Sequence, residues 1–261
     1  MPEVIDTTSI AYGKLRRFNL LMGFIHLAQG ALMLLLSSSF SLPLTTLYLR
    51  FDPSRGKLVQ NLQEPYAVRI APLVAVFLLL SALAHFILAS WGYGWYVDNL
   101  KRHINKARWW EYSLSSSLMI VLIAMLVGLY DMTSLLLIFC LNACMILFGY
   151  MMELHNQTTP TTDWTAFRFG CFAGAVPWAA IAIYTLGANQ SPGSSVPSFV
   201  YAILISLFIF FNCFAVNMYL QYRRVGPWRD YLFGERMYIV LSLVAKSALA
   251  WQMFFGTLRS V

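Results

Sequence analysis

The sequence predicts an all-α membrane protein, a bundle of seven transmembrane helices. Three observations carry this. Of the 261 residues, 59% are hydrophobic and only 11% are charged, whereas a soluble globule carries roughly 25% charged residues. The apolar residues fall into seven runs, each near the roughly 20 residues that a helix needs to cross a bilayer. The basic residues lie in the short connections between the runs rather than along one face. The net charge of +7 therefore reads as membrane topology and not as a nucleic-acid surface.

The predicted spans run over about 15–38, 65–91, 106–130, 132–155, 164–187, 197–222 and 231–257, in a single domain covering 1–261. No cleavable leader is evident ahead of span one, so that helix is expected to stay in place. Between spans one and two lies "LTTLYLRFDPSRGKLVQNL". Two strand-like runs around the turn composition "DPSRG" predict a small β-hairpin over one mouth of the bundle. Span five contains Pro177, expected to break the helix ahead of Trp178. The connection after it, "GANQSPGSSVPS", carries a glycosylation pattern at Asn189-Gln190-Ser191.

Lysine and arginine counts set the direction. Lys14, Arg16 and Arg17 precede span one. Lys101, Arg102, Lys106 and Arg108 join spans two and three, and Arg223, Arg224, Arg229 and Arg236 join spans six and seven. The opposite side holds Arg50, Arg55, Lys57, Arg69 and Arg259. The bias predicts a multi-pass protein of the cell membrane with the N-terminus in the cytoplasm and the C-terminus outside. The stretch "YRRVGPWRDYLFGER" (222–236) is the most ordered-looking inner connection. It is the place where an unidentified cytoplasmic signalling partner, or anionic lipid, would dock.

Span seven reads "YIVLSLVAKSALAWQMFF", with Lys246 at its centre and no other charge between Arg236 and Arg259. An ammonium at mid-bilayer costs about 2.5–3.5 kcal/mol even on the lenient insertion scale. Ten residues from Arg236 is roughly 15 Å, too far for the stem to snorkel comfortably. Lys246 is either a structural lysine paired with a carboxylate or a desolvated amine able to form a Schiff base with an aldehyde. Glu111 is the carboxylate plausibly deep enough to face it. Glu111 follows Arg108 by three residues, so span three must enter the membrane ahead of its last charge. Arg108 and Glu153 would then form a buried ion pair. The alternative places both at the headgroups.

His26 and His85 fall inside spans one and two. A membrane histidine packs as a satisfied polar residue or, paired on the side of a carboxylate, holds a proton. With Glu111 the two could also hold zinc by residue type, although no metal set is favoured. Cys140, Cys144, Cys171 and Cys213 lie in apolar spans, without a disulfide framework, and read as small buried residues. Trp178, Phe211, Trp251, Met145 and Asn142 are candidates for an aromatic-walled pocket or for ordinary helix packing. Ser113 and Ser116 sit in "EYSLSSS" and line such a pocket or let helices approach closely. No glycine-rich phosphate loop or Ser/His/Asp set appears, so an enzyme is not expected.

The stretches "RWWEYSLSSSLMIVLIA" (108–124), "NACMILFGYMME" (142–153), "GAVPW" (174–178) and "ERMYIVLSLVAKSALAWQMFFGTL" (235–258) resemble heliorhodopsin. The resemblance covers essentially the whole chain, and the inverted orientation read from the charges agrees with it. It implies that Lys246 carries covalently bound retinal, all-trans in the dark, as a protonated Schiff base. Glu111 is then its counterion. Ser242, one turn before Lys246, stands where ordinary microbial rhodopsins have a second carboxylate. His26 and His85 correspond to a polar, water-filled cavity that accepts the Schiff-base proton. The resemblance further implies a homodimer in the lipid bilayer that senses light with a slow photocycle and does not pump. The hairpin half of the sequence lacks ionisable groups between Lys246 and the loops, which also argues against pumping. A light-gated ion channel is the alternative.

Overall fold

A computed structural model describes residues 7–190 and 196–259. Among these, seven helices are long and apolar enough to cross a membrane. The order is α1 (Thr7–Leu36), β1 (Ser41–Asp52), β2 (Lys57–Arg69), α2 (Ile70–Ala89), α3 (Tyr93–Lys101), α4 (Lys106–Leu126), α5 (Met132–His155), α6 (Thr165–Gln190), α7 (Ser198–Arg223), a 3-10 turn (Gly226–Arg229), α8 (Tyr231–Met253) and a π turn (Phe254–Leu258). Helix α3 is too short to cross. It caps one face of the bundle, opposite the hairpin.

The two strands pair antiparallel from Ser41↔Arg69 to Asp52↔Lys57, with a bulge between Leu44 and Thr46. The turn closes through Asp52, whose Oδ1 accepts from the Ser54 amide at 2.9 Å, and through Gly56 at φ +59°, where a side chain would be strained. The hairpin is tied down at its base, where the Thr45 amide donates to the Tyr130 carbonyl at 2.9 Å. The second span therefore starts at Ile70 and not at 65. Tyr66, Ala67 and Val68 pair with Leu44, Pro43 and Leu42, and this cross-strand ladder satisfies the backbone that a helix would otherwise satisfy.

Helix α4 is the centre of the bundle. It has the lowest hydropathy of the seven spans, yet 61% of its membrane window is buried, against 17% for α7. Its serines and charges are tolerable because other helices shield them from lipid. It ends at Leu126, four residues short of the expected limit, where Gly128 turns at φ +94°. Pro177 does not break α6, which runs unbroken from Thr165 to Gln190. Neighbouring helices and local adjustment re-satisfy the freed backbone of a membrane proline. The expected glycosylation pattern at 189–191 ends on Ser191, which lies outside the described residues. Cys140, Cys144 and Cys171 face outward rather than inward, as small polarizable residues can at a lipid-facing surface.

Candidate functional site

Helices α4 and α8 run in the same direction, from the α3 face toward the hairpin. Side chains on a helix lean toward its N-terminus, so the long Lys246 stem reaches back toward the α3 face. Glu111 is met there because α4 starts inside the bundle: Asn105, its N-cap, and Arg108 are both buried. The Lys246 Nζ lies 2.7 Å from Glu111 Oε1. Ser81 of α2 completes a triad, its hydroxyl contacting Lys246 Nζ and donating to Glu111 Oε1 at 2.7 Å. Lys246 is 3% exposed, so water does not screen this pair and it relies on protein partners. The Tyr112 ring lies 5.2 Å from Nζ.

Beside the triad, His26 and His85 stack with ring centroids 5.6 Å apart. His85 Nδ1 is 2.8 Å from Asn19 Oδ1. His26 is fully buried, and neither of its ring nitrogens has a partner among the described residues. Such nitrogens normally bond to ordered water or another polar group. Among the described residues no group of three or more His, Cys, Asp or Glu is placed to hold a metal ion.

One turn nearer the α3 face, Arg108 bonds Glu153 of α5 and Glu235 of α8 through separate guanidinium nitrogens. Trp109 Nε1 donates to Glu153 Oε2 at 2.6 Å, and the Asn105 amide donates to the same oxygen at 2.8 Å. The guanidinium lies 3.8 Å from the Tyr238 ring centroid. Glu235 was missed in the sequence, where it reads as part of a charged connection. Its eleven-residue spacing from Lys246, about three helical turns, places both on one face of α8. Ser81 and Asn19 were legible in the same way: Ser81 is one turn from His85 and Asn19 two turns from His26.

On the other side of Lys246 lies a cavity of about 130 Å³, lined mostly by apolar and aromatic side chains as small-molecule sites are. Trp109, Tyr112, Phe211, Phe214 and Tyr238 supply its aromatic walls, and Met119 and Met145 its thioethers. Ser116 and Ser242 also line it. Gly149 lets the Trp109 ring of this wall sit directly against α5: a Cβ there would come within 2.4 Å of it.

Four expected wall residues are placed elsewhere. The Ser113 hydroxyl donates to the Trp110 carbonyl at 2.8 Å. Asn142 lies behind the wall, donating to Ser116 Oγ at 2.9 Å and Ser117 Oγ at 3.1 Å. Trp178 packs edge-on against Phe208 and Phe211 and so backs Phe211 rather than facing the cavity. Trp251 donates to Gln29 at 3.0 Å, toward the hairpin. Helix phase explains these placements: neighbouring positions on one helix point about 100° apart, and single-residue reading does not choose among them.

A seven-helix bundle with a buried lysine–carboxylate pair beside an aromatic slot is the architecture of a retinal-type membrane protein. The model of the family described as Heliorhodopsin matches residues 15–258, and the chain belongs to that family. A comparison with curated proteins finds no match. The family is one of retinal-based light-sensing membrane proteins. The residues present fit such a group: an aromatic-walled slot carries the Lys246 side chain in its lining.

Proposed function

We propose that the protein is a non-pumping photosensor in which Lys246 is the attachment residue and Glu111 the counterion. The observation that carries this is the Lys246–Glu111–Ser81 triad beside the aromatic slot that Lys246 lines. Lys246 would hold retinal, all-trans in the dark, as a protonated Schiff base, and the bound group would supply light absorption and isomerisation. Glu111 and Ser81 hold the proton on the lysine nitrogen in the dark. His85 and His26 provide the acceptor, because their ring nitrogens lie beside the triad and His26 keeps both free of protein partners. Trp109, Tyr112 and Tyr238 exclude water from the slot and orient its contents.

The two sides of Lys246 differ. Among the described residues, the buried acidic, basic and histidine side chains lie level with Lys246 or nearer the α3 face. Toward the hairpin the core is mainly apolar, with Phe77, Leu78, Ile120, Ile123, Leu249 and Met253 in it, and the buried polar groups there, such as Gln29, are not ionisable. Among the described residues no buried ionisable side chain lies in that layer to take up a proton, and carrying an unpaired charge across it is costly. Loss of the Glu111 attraction instead loosens α8 from α4 and α2, and the change reaches the α3 face through Arg108 and its two carboxylates. That face is cytoplasmic by the lysine and arginine bias of the connections. A visible spectrum of the purified protein with all-trans retinal, beside Lys246→Ala, tests the reading. A visible band that vanishes in the variant supports it; no band in either protein overturns it.

A further inference from the structure

At the α3 face a crevice of about 930 Å³ opens between the end of α3, the connection from α5 to α6, and the segment joining α7 to α8. Its charge is unbalanced. Lys101, Arg224 and Arg229 line it, all three are exposed, and among the described residues none forms a salt bridge. The two carboxylates on its wall are already engaged. Glu153 pairs with Arg108, and Asp230 accepts from the Leu232 amide at 2.9 Å and pairs with Arg236 at 3.3 Å. On the opposite rim Thr159 already donates to Asn156 Oδ1 at 3.0 Å and Gln157 to the Glu153 carbonyl at 3.4 Å, so the exposed cations are the groups that face the crevice without a partner of opposite charge.

His103 and Arg224, at φ 56° and 52°, line the crevice as the left-handed residues that end α3 and α7, a common helix termination. One further observation singles out this crevice. The Tyr231 hydroxyl, on a ring that stacks on His103 at 4.5 Å, is buried without a hydrogen-bond partner among the described residues.

From these features we infer that the crevice binds a phosphate-bearing anion. Two guanidinium forks and an ammonium suit a multiply charged tetrahedral group better than a single carboxylate. The ligand is either the headgroup of an anionic phospholipid or a soluble phosphate compound, since the crevice opens where headgroups and solvent meet. Glu153 gives it a path to the interior, because that side chain belongs both to the crevice wall and to the Arg108 cluster. Direct binding, which needs neither light nor retinal, is the readout, so failure of the photosensor reading would leave the result intact.

The test is isothermal titration of the full-length protein in phosphatidylcholine nanodiscs with inorganic pyrophosphate. Saturable binding is expected, weakened by about tenfold in the double variant Arg224→Asn and Arg229→Gln, as loss of charge-assisted hydrogen bonds implies. Asparagine is chosen at 224 because it tolerates positive φ. The control variant Arg55→Gln with Lys57→Gln, on the hairpin, should bind normally. Repeating the titration in discs containing phosphatidylglycerol separates the two sources. Competition by the lipid identifies a headgroup site, and unchanged affinity identifies a soluble ligand. Absence of saturable binding in both kinds of disc, or equal weakening in the two double variants, overturns the inference.

Discussion

Arg108 is the residue on which most of the buried charge depends. It holds two carboxylates, Glu153 and Glu235, with almost no solvent access. Removing one partner from a buried ion pair leaves an uncompensated charge and costs on the order of 3–5 kcal/mol. Arg108→Gln is expected to lower the thermal midpoint more than Glu235→Gln does, because the first strands two carboxylates and the second removes one. Thermal denaturation of both variants in the same detergent measures this. At Glu111 the expected effect is spectral. The carboxylate favours positive charge at the lysine end of the polyene, the ground-state arrangement. Glu111→Gln should therefore shift the visible band to the red, and an unshifted band would mean that another anion neutralises the site.

At the scale of elements, the cavity depends on how closely α5 approaches α4. With a Cβ at 149 the Trp109 ring would have to move, and overpacking of this kind costs typically 1–3 kcal/mol. Gly149→Ala is expected to narrow the slot and reduce the fraction of protein that forms the visible band with added retinal, read against total protein absorbance. The connection from α5 to α6 depends on Asp163. The Thr165 hydroxyl, then the Thr165 amide at 2.7 Å and His155, hold its carboxyl down to about 2. A carboxyl depressed when folded stabilises above its ordinary value of about 4, and that contribution is lost as pH falls toward 2. Hydrogen-exchange protection at the start of α6, corrected for the intrinsic rate at each pH, should therefore fall between pH 4 and 2 in the native protein, and much less in Asp163→Asn.

For the molecule as a whole, the asymmetry about Lys246 is the decisive feature. Buried charges and histidines gather toward the α3 face, and a mainly apolar layer closes the hairpin side. Illuminated cell suspensions are expected to show no sustained, uncoupler-sensitive pH change. Photocurrents that reverse with voltage would favour a conductor in which light wets the apolar layer. Topology was legible at this scale because lipid imposes it: a run of apolar residues long enough to span has few other fates, since its backbone must bond to itself. The hairpin was legible from its turn composition, although its length was not. Residues 65–69 are as compatible with a helix as with a strand until β1 is there to pair with them.

The sequence alone determined the seven spans, the hairpin, the lysine in span seven and the carboxylate in span three, because uncompensated charge in hydrocarbon is too costly to be incidental. Tertiary structure decided which partners compensate that charge. Ser81 joins the lysine pair, Glu235 joins Glu153 on Arg108, and Asn19 holds His85. It also decided which aromatic rings face the slot, bringing in Trp109, Tyr112 and Tyr238 and leaving Trp178 and Trp251 outside it. Each of these contacts joins helices far apart in the chain. The phase of one helix against another is set by the packing of all seven, and no single stretch of sequence contains it.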